Sequence, residues 1–188
     1  MIKEPRLLTR AVFPETVAPM LGDINWNQDA PYNNACPLVQ GSRSMTGCVA
    51  TAMAMILKYH NFPVKGKGTH SYKTSSGLEC SFDYGSTTFS WNEMRSQYVG
   101  GNYTTEEANA VAELMHACGV AVDMEYSPSS SGAYSFKVGQ ALIDYFGYDE
   151  NLGYVCRQYF TSEEWMNMIK TELSERPVSY THLTLPTN

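Results

Sequence analysis

The stretch that most restricts the fold is Thr46-Gly47-Cys48-Val49-Ala50-Thr51-Ala52-Met53-Ala54-Met55-Ile56-Leu57-Lys58-Tyr59-His60. Its apolar residues Val49, Ala52, Met53, Ile56 and Leu57 recur at i, i+3, i+4, i+7 and i+8, which predicts a helix with one face in a core. Asn61-Phe62-Pro63 predicts the end of that helix, because proline cannot continue the hydrogen-bond ladder. Cys48 then stands where a turn becomes a helix. The first-turn N–H groups there lack intrahelical partners, and the helix dipole favours an anion. The thiolate is the form that attacks a carbonyl carbon, so this position suits a nucleophile. The competing reading is a small buried hydrophobe, since free cysteine is among the most buried residue types.

The 188 residues fit one domain of ordinary size. With 43% hydrophobic and 17% charged residues, the chain is neither disordered nor a coiled coil. The net charge of −6 offers no basic stripe, which argues against a nucleic-acid partner. No apolar run reaches membrane-spanning length. Cys36, Cys48, Cys80, Cys118 and Cys156 form no CxxC pair and no short Cys/His spacing, so no metal site is expected. Their odd number leaves a thiol over, and up to two disulfides could form in an exported protein. His60, His70, His116 and His182 are scattered. His116 and Cys118, two apart in a predicted helix, point to different faces and do not share a metal.

In chain order, residues 1–16 read as a linker or propeptide remnant, with Pro5 and Pro14 and no apolar core of a signal peptide. Met20 to Pro37 is rich in turn formers and predicts an ordered, irregular loop whose amides could supply hydrogen-bond donors to a developing oxyanion. Val64 to Tyr98 predicts short strands and loops, with a strand or hairpin over Phe82 to Trp91 and a helical turn from Trp91. Thr104-Thr105-Glu106-Glu107 is a capping box ahead of a helix with Ala108, Val111, Ala112 and Met115 inward and Gly119 as its stop. Ser135 is expected to cap a helix with Val138, Ala141, Leu142 and Tyr145 inward and Gly147 at its end. A second capping box, Thr161-Ser162-Glu163-Glu164, opens a helix with Trp165, Met168, Ile169 and Leu173 on its buried face. Between the first two of these helices, Asp123 to Ala133 is a polar loop.

Four segments together resemble the streptopain-like bacterial cysteine peptidases, a branch of the papain-like superfamily. They are Asn27-Gln28-Asp29-Ala30-Pro31-Tyr32-Asn33, Thr46 to Ala52 with Lys58 to Pro63, Gly119-Val120-Ala121-Val122-Asp123-Met124, and Tyr145-Phe146-Gly147-Tyr148. The resemblance covers residues 17–178. It implies an α+β papain-like fold, here the helical half plus the start of the C-terminal sheet, C-terminally incomplete. It implies Cys48 as nucleophile, Gln28 as oxyanion-hole donor, and Ser130, Ser131 and Gly132 in a loop bordering the substrate cleft. Protein or peptide substrates, no cofactor, a secreted or cell-surface location and propeptide inhibition of the full-length parent follow from the same likeness.

The family's general base is a histidine in a Gly-Gly-His-Ala type segment beyond an Arg-Pro-Val strand. Arg176-Pro177-Val178 matches the start of that strand, and the glycine-flanked histidine does not follow. Residues 179–188 read instead as the translation of a sequencing adapter, which makes His182 a decoy and the fragment inactive as written. His60 lies twelve residues beyond Cys48, about 18 Å along a helix axis at 1.5 Å per residue, too far to take the thiol proton. Two rivals stand beside the peptidase: a non-catalytic peptidase-like binding module, and a thiol oxidoreductase, which would want a resolving cysteine near Cys48.

Overall fold

The computed structural model describes residues 21–175. The linker or propeptide remnant expected over 1–16, the strand start at Arg176 to Val178 and the tail 179–188 lie outside the described residues. Two hairpins and four helices follow in order: β1 (Leu38–Val39), β2 (Ser42–Arg43), α1 (Cys48–His60), β3 (Thr69–Lys73), β4 (Glu79–Asp83), α2 (Thr105–Ala121), α3 (Lys137–Phe146) and α4 (Ser162–Glu175). The described chain divides into two units, one spanning Asp23–Tyr154 and the other containing α4.

In the first unit α1 packs on α2. Helix α1 buries Val49, Ala50, Thr51, Met53, Ala54, Ile56 and Leu57. This arc is wider than the expected stripe, and Ala52 is only half-buried. Small residues at 50 and 54 extend the enclosed face beyond what the apolar spacing indicates. Met53, Leu57, Leu114 and Met115 are fully enclosed between the two helices and their neighbours. Each such side chain contributes about 1.5–3 kcal/mol over its exposed state. Asn61, left-handed at φ 46°, ends α1 just before Pro63.

Helix α2 opens on the expected capping box: Thr104 accepts the Glu107 N–H, and Glu107 accepts the Thr104 N–H. Gly119 is not its stop. The helix continues to Ala121, and Gly119 is buried within it, where an added Cβ would lie 2.2 Å from the Tyr126 hydroxyl. That glycine admits a ring rather than ending a helix.

Ser135 is likewise not a cap. Phe136 holds the N-cap position of α3 with no side-chain bond, and Ser135 offers only its carbonyl, to the Val138 N–H. Val138, Ala141 and Leu142 face inward as expected, but the most enclosed ring is Phe146, while Tyr145 is half-buried and stacks on Tyr84 at 4.7 Å. Gly147, at φ 70°, ends α3 as expected.

The main hairpin precedes the expected one. β3 and β4 pair antiparallel from Thr69–Asp83 to Lys73–Glu79, with His70, Tyr72, Cys80 and Phe82 on the more enclosed face. The strand does not run on to Trp91, because Asp83 draws the backbone into a turn by accepting from the Ser86 N–H and the Thr87 hydroxyl. Trp91–Glu93 forms the short helical turn. β1 and β2 join through Gln40 and Gly41, both at positive φ, as a two-residue hairpin turn requires.

In the second unit, Thr161 and Glu164 exchange the capping-box bonds that open α4. Trp165, Met168 and Ile169 are half-buried there, and Phe160 lies 6.0 Å from Trp165. The side chain of Leu173 lies outside the described residues.

Candidate active site

Cys48 is the first residue of α1, half-buried and unbonded to another cysteine. Gly47 is the N-cap at φ 86°, a conformation that suits glycine, and no side chain caps the helix. The first turn also carries no acidic residue. The positive end of α1 is therefore left unneutralised by its own turn, which is the arrangement that receives an anion. Below the cap, the Gly47 carbonyl accepts both the N–H and the hydroxyl of Thr51. Because the Thr51 hydroxyl is spent there, its 2.8 Å contact with Thr46 has Thr46 as donor. These buried hydroxyls fix the turn that presents Cys48.

Gln28 reaches this turn through its backbone. The Thr46 N–H donates to the Gln28 carbonyl at 3.2 Å, bringing the 27–33 loop beside the segment that leads into Cys48. The Gln28 N–H donates in turn to Asn27 Oδ1 at 2.8 Å, and the Gln28 side chain is half-buried. Asn33 closes the same loop by donating from its amide to the Ser44 carbonyl. Sequence reasoning gives Asn27 no role; an asparagine in a turn is the signal that points to such a local brace.

The serine loop meets the same segment. The Met45 N–H donates to the Ser127 carbonyl, and the Ser131 hydroxyl, which accepts the Ser127 N–H, lies within bonding distance of the carbonyls of Met45 and Ser127. Ser131 is buried, whereas Ser130 and Gly132 are exposed. Gly132 and Glu125 exchange two backbone bonds that pinch the base of the loop. A cavity of about 510 Å³ shares Gly132 with this loop and is lined also by Tyr72, Asp123, Ala133, Tyr134 and Lys137; Cys48 does not line it.

The three described histidines have other surroundings. His60 ends α1 edge-on to Tyr59, and burial lowers its pKa. His70 bonds Asp123 Oδ1 at 2.7 Å, stacks on Tyr72 and lies tilted against Tyr145. His116 packs between Phe82 and Tyr126, with its pKa likewise lowered by burial. His182 lies outside the described residues. Burial also raises the thiols of Cys36, to about 12, and of Cys80 and Cys118. Cys48 and Cys156 are the half-buried pair among five free thiols. No group of three or more His, Cys, Asp or Glu that could hold a metal occurs among the described residues.

A thiol at an uncapped helix start, with an amide-bearing loop tied to the preceding turn, is a geometry for nucleophilic acyl transfer. A model of the Peptidase C10 family matches residues 26–185. The chain belongs to that family. Among curated proteins, streptopain of Streptococcus pyogenes serotype M28 (strain MGAS6180) is 36% identical over 84% of this chain and 44% of its own length. The thiol protease/hemagglutinin PrtT of Porphyromonas gingivalis is 34% identical over 89% of this chain and 20% of its own. The chain thus spans less than half the length of these relatives. Active wild-type interpain A of Prevotella intermedia, a cysteine protease, superposes with a TM-score of 0.77 at 39% identity, over 86% of this chain and 70% of that one. A prointerpain A fragment from the same organism also scores 0.77, at 41% identity. The chain is a streptopain-like cysteine peptidase by family, and its fold is the papain-like α+β arrangement.

Proposed function

We propose that Cys48 is the nucleophile of an endopeptidase and Gln28 the side-chain donor of its oxyanion hole. The observation that carries this is the Thr46–Gln28 backbone bond, which joins the amide-bearing loop to the turn opening on Cys48. In the intact parent, Cys48 Sγ attacks the peptide carbonyl carbon and the π pair moves to oxygen, where the Cys48 N–H and the Gln28 amide hold it. A histidine supplied from the family's Gly-Gly-His segment takes the Cys48 thiol proton and returns it to the amine that collapse expels, and water then hydrolyses the thioester. The reading gives Ser130 and Gly132 a place along the substrate and makes Ser131 the brace of that loop. Polypeptide substrates, a secreted or cell-surface location and inhibition by a propeptide belong to the same proposal.

In the full-length enzyme, Cys48→Ala should abolish casein hydrolysis. Gln28→Ala should lower kcat by about 10²–10³ with the fold intact, the effect of removing one oxyanion donor. Normal turnover by either variant would refute the assignment. The chain Met1 to Asn188 itself should not cleave casein, and Cys48-dependent cleavage by it would overturn the reading that it lacks its base. We further propose native sequence over 17–178 and adapter-derived sequence over 179–188; long-read sequencing that finds codons for Ser179 to Asn188 at the genomic locus would refute the second boundary.

A further inference from the structure

The Gly119-Val120-Ala121-Val122-Asp123-Met124 segment carries much of the family likeness, and the proposed chemistry gives it no part. Its last residue lies against the cap of the nucleophile helix. Met124 is fully buried, and a Cβ at Gly47 would sit 2.6 Å from Met124 Sδ and 3.1 Å from the Ser131 carbonyl oxygen. The thioether therefore fills the space that a side chain at position 47 would occupy. Gly47 is the residue whose peptide unit ends in the Cys48 N–H.

Met124 is held on three sides. Its N–H donates to the Gly119 carbonyl at 3.1 Å, and its carbonyl accepts the Tyr72 hydroxyl at 2.6 Å. The preceding residue, Asp123, sits at φ 52° with Oδ1 bonded to His70 and Oδ2 to Lys137, each at 2.7 Å. A turn clamped by groups from β3 and α3 thus delivers one flexible side chain to a single backbone position. Methionine fits such a gap because its unbranched chain adapts to the space left for it.

We propose that Met124 is a positioning residue for Cys48: its side chain wedges the Gly47–Cys48 peptide so that the Cys48 N–H is aimed at the oxyanion. This rests on the assignment of Cys48 and Gln28 given above. Its signature is selective. A variant that loosens the peptide should weaken adducts that need the oxyanion donor and spare reactions of the thiol that do not.

Two electrophiles separate these cases on the chain as it stands, with Cys156→Ser as background because Cys156 is the other half-buried thiol. Iodoacetamide alkylates sulfur with loss of iodide and forms no oxyanion. A peptide aldehyde forms a hemithioacetal: Cys48 Sγ bonds to the aldehyde carbon, and the thiol proton passes to the oxygen that the donors hold. Met124→Ala should weaken aldehyde binding about tenfold, less than outright loss of an oxyanion donor, and leave the iodoacetamide rate within about twofold. Met124→Leu, which keeps the wedge, should restore binding. If circular dichroism shows Met124→Ala unfolded, Met124→Val, which shortens the wedge without emptying the core, is read in the same way.

Aldehyde binding that falls with Gln28→Ala but not with the shortened Met124 variants would overturn this inference alone. Equal losses toward both electrophiles would also overturn it, since that is the mark of a merely structural role. Failure of the parent chain to form a Cys48 adduct, or insensitivity of the adduct to Gln28→Ala, would overturn the assignment on which it rests and the inference with it.

Discussion

Substituting Gly119 by alanine puts two physical effects in direct opposition. Gly119 lies inside α2, so alanine should stabilise by about 1 kcal/mol through helix propensity alone. The structure predicts the reverse. The new Cβ would stand 2.2 Å from the Tyr126 hydroxyl oxygen and 3.1 Å from Cζ, and Tyr126 is 5% exposed, with little room to withdraw. An approach this close belongs at the upper end of overpacking costs, about 3 kcal/mol, so the net change should be a loss of about 2 kcal/mol once the propensity gain of about 1 kcal/mol is subtracted.

The offending atom also identifies the rescue. The Tyr126 hydroxyl is buried without a hydrogen-bond partner among the described residues. Tyr126→Phe should therefore cost little by itself, since no bond is broken. In the Gly119→Ala background it should recover most of the loss, because the nearest remaining atom is Cζ. Urea unfolding followed by tryptophan fluorescence on the four chains closes a double-mutant cycle, with an expected coupling of about 1–3 kcal/mol. A Gly119→Ala chain as stable as its parent, or one whose loss Tyr126→Phe does not relieve, would refute the close-packing argument.

Thr104→Ala removes the capping-box hydroxyl of α2 and should cost about 1 kcal/mol, measured by the same unfolding curves; Thr104→Ser should be nearly neutral. For Asp123, burial pushes the carboxyl pKa up, but hydrogen bonds from Lys137 and His70, with their charges, outweigh it and hold it below the ordinary value of about 3.9. A depressed folded-state pKa contributes stability that is present above the unfolded value and lost as pH falls through the folded one. The stability gap between the parent and Asp123→Asn should accordingly shrink below about pH 4, and a gap constant across that range would show that the charge is not what the clamp uses.

The sequence determined the features that depend on near neighbours. α1 spans Cys48–His60 as its apolar spacing and Asn61-Phe62-Pro63 require, and both capping boxes formed because their partners are three residues apart. Cys48 at the start of a helix is local in the same sense. Tertiary structure decided what depends on residues distant in the chain. Gly119 looks like a helix stop until Tyr126 is packed onto it, and Ser131 looks available to a ligand until its hydroxyl meets the Met45 carbonyl. The alternation at His70 and Tyr72 became a strand once β4 paired with it. Gln28 could be read as a donor only through likeness, because the bond that brings its loop to Thr46 leaves no trace in spacing. Glycine at 47 shows the division in one residue: its positive φ belongs to the turn, and the space beside it belongs to Met124.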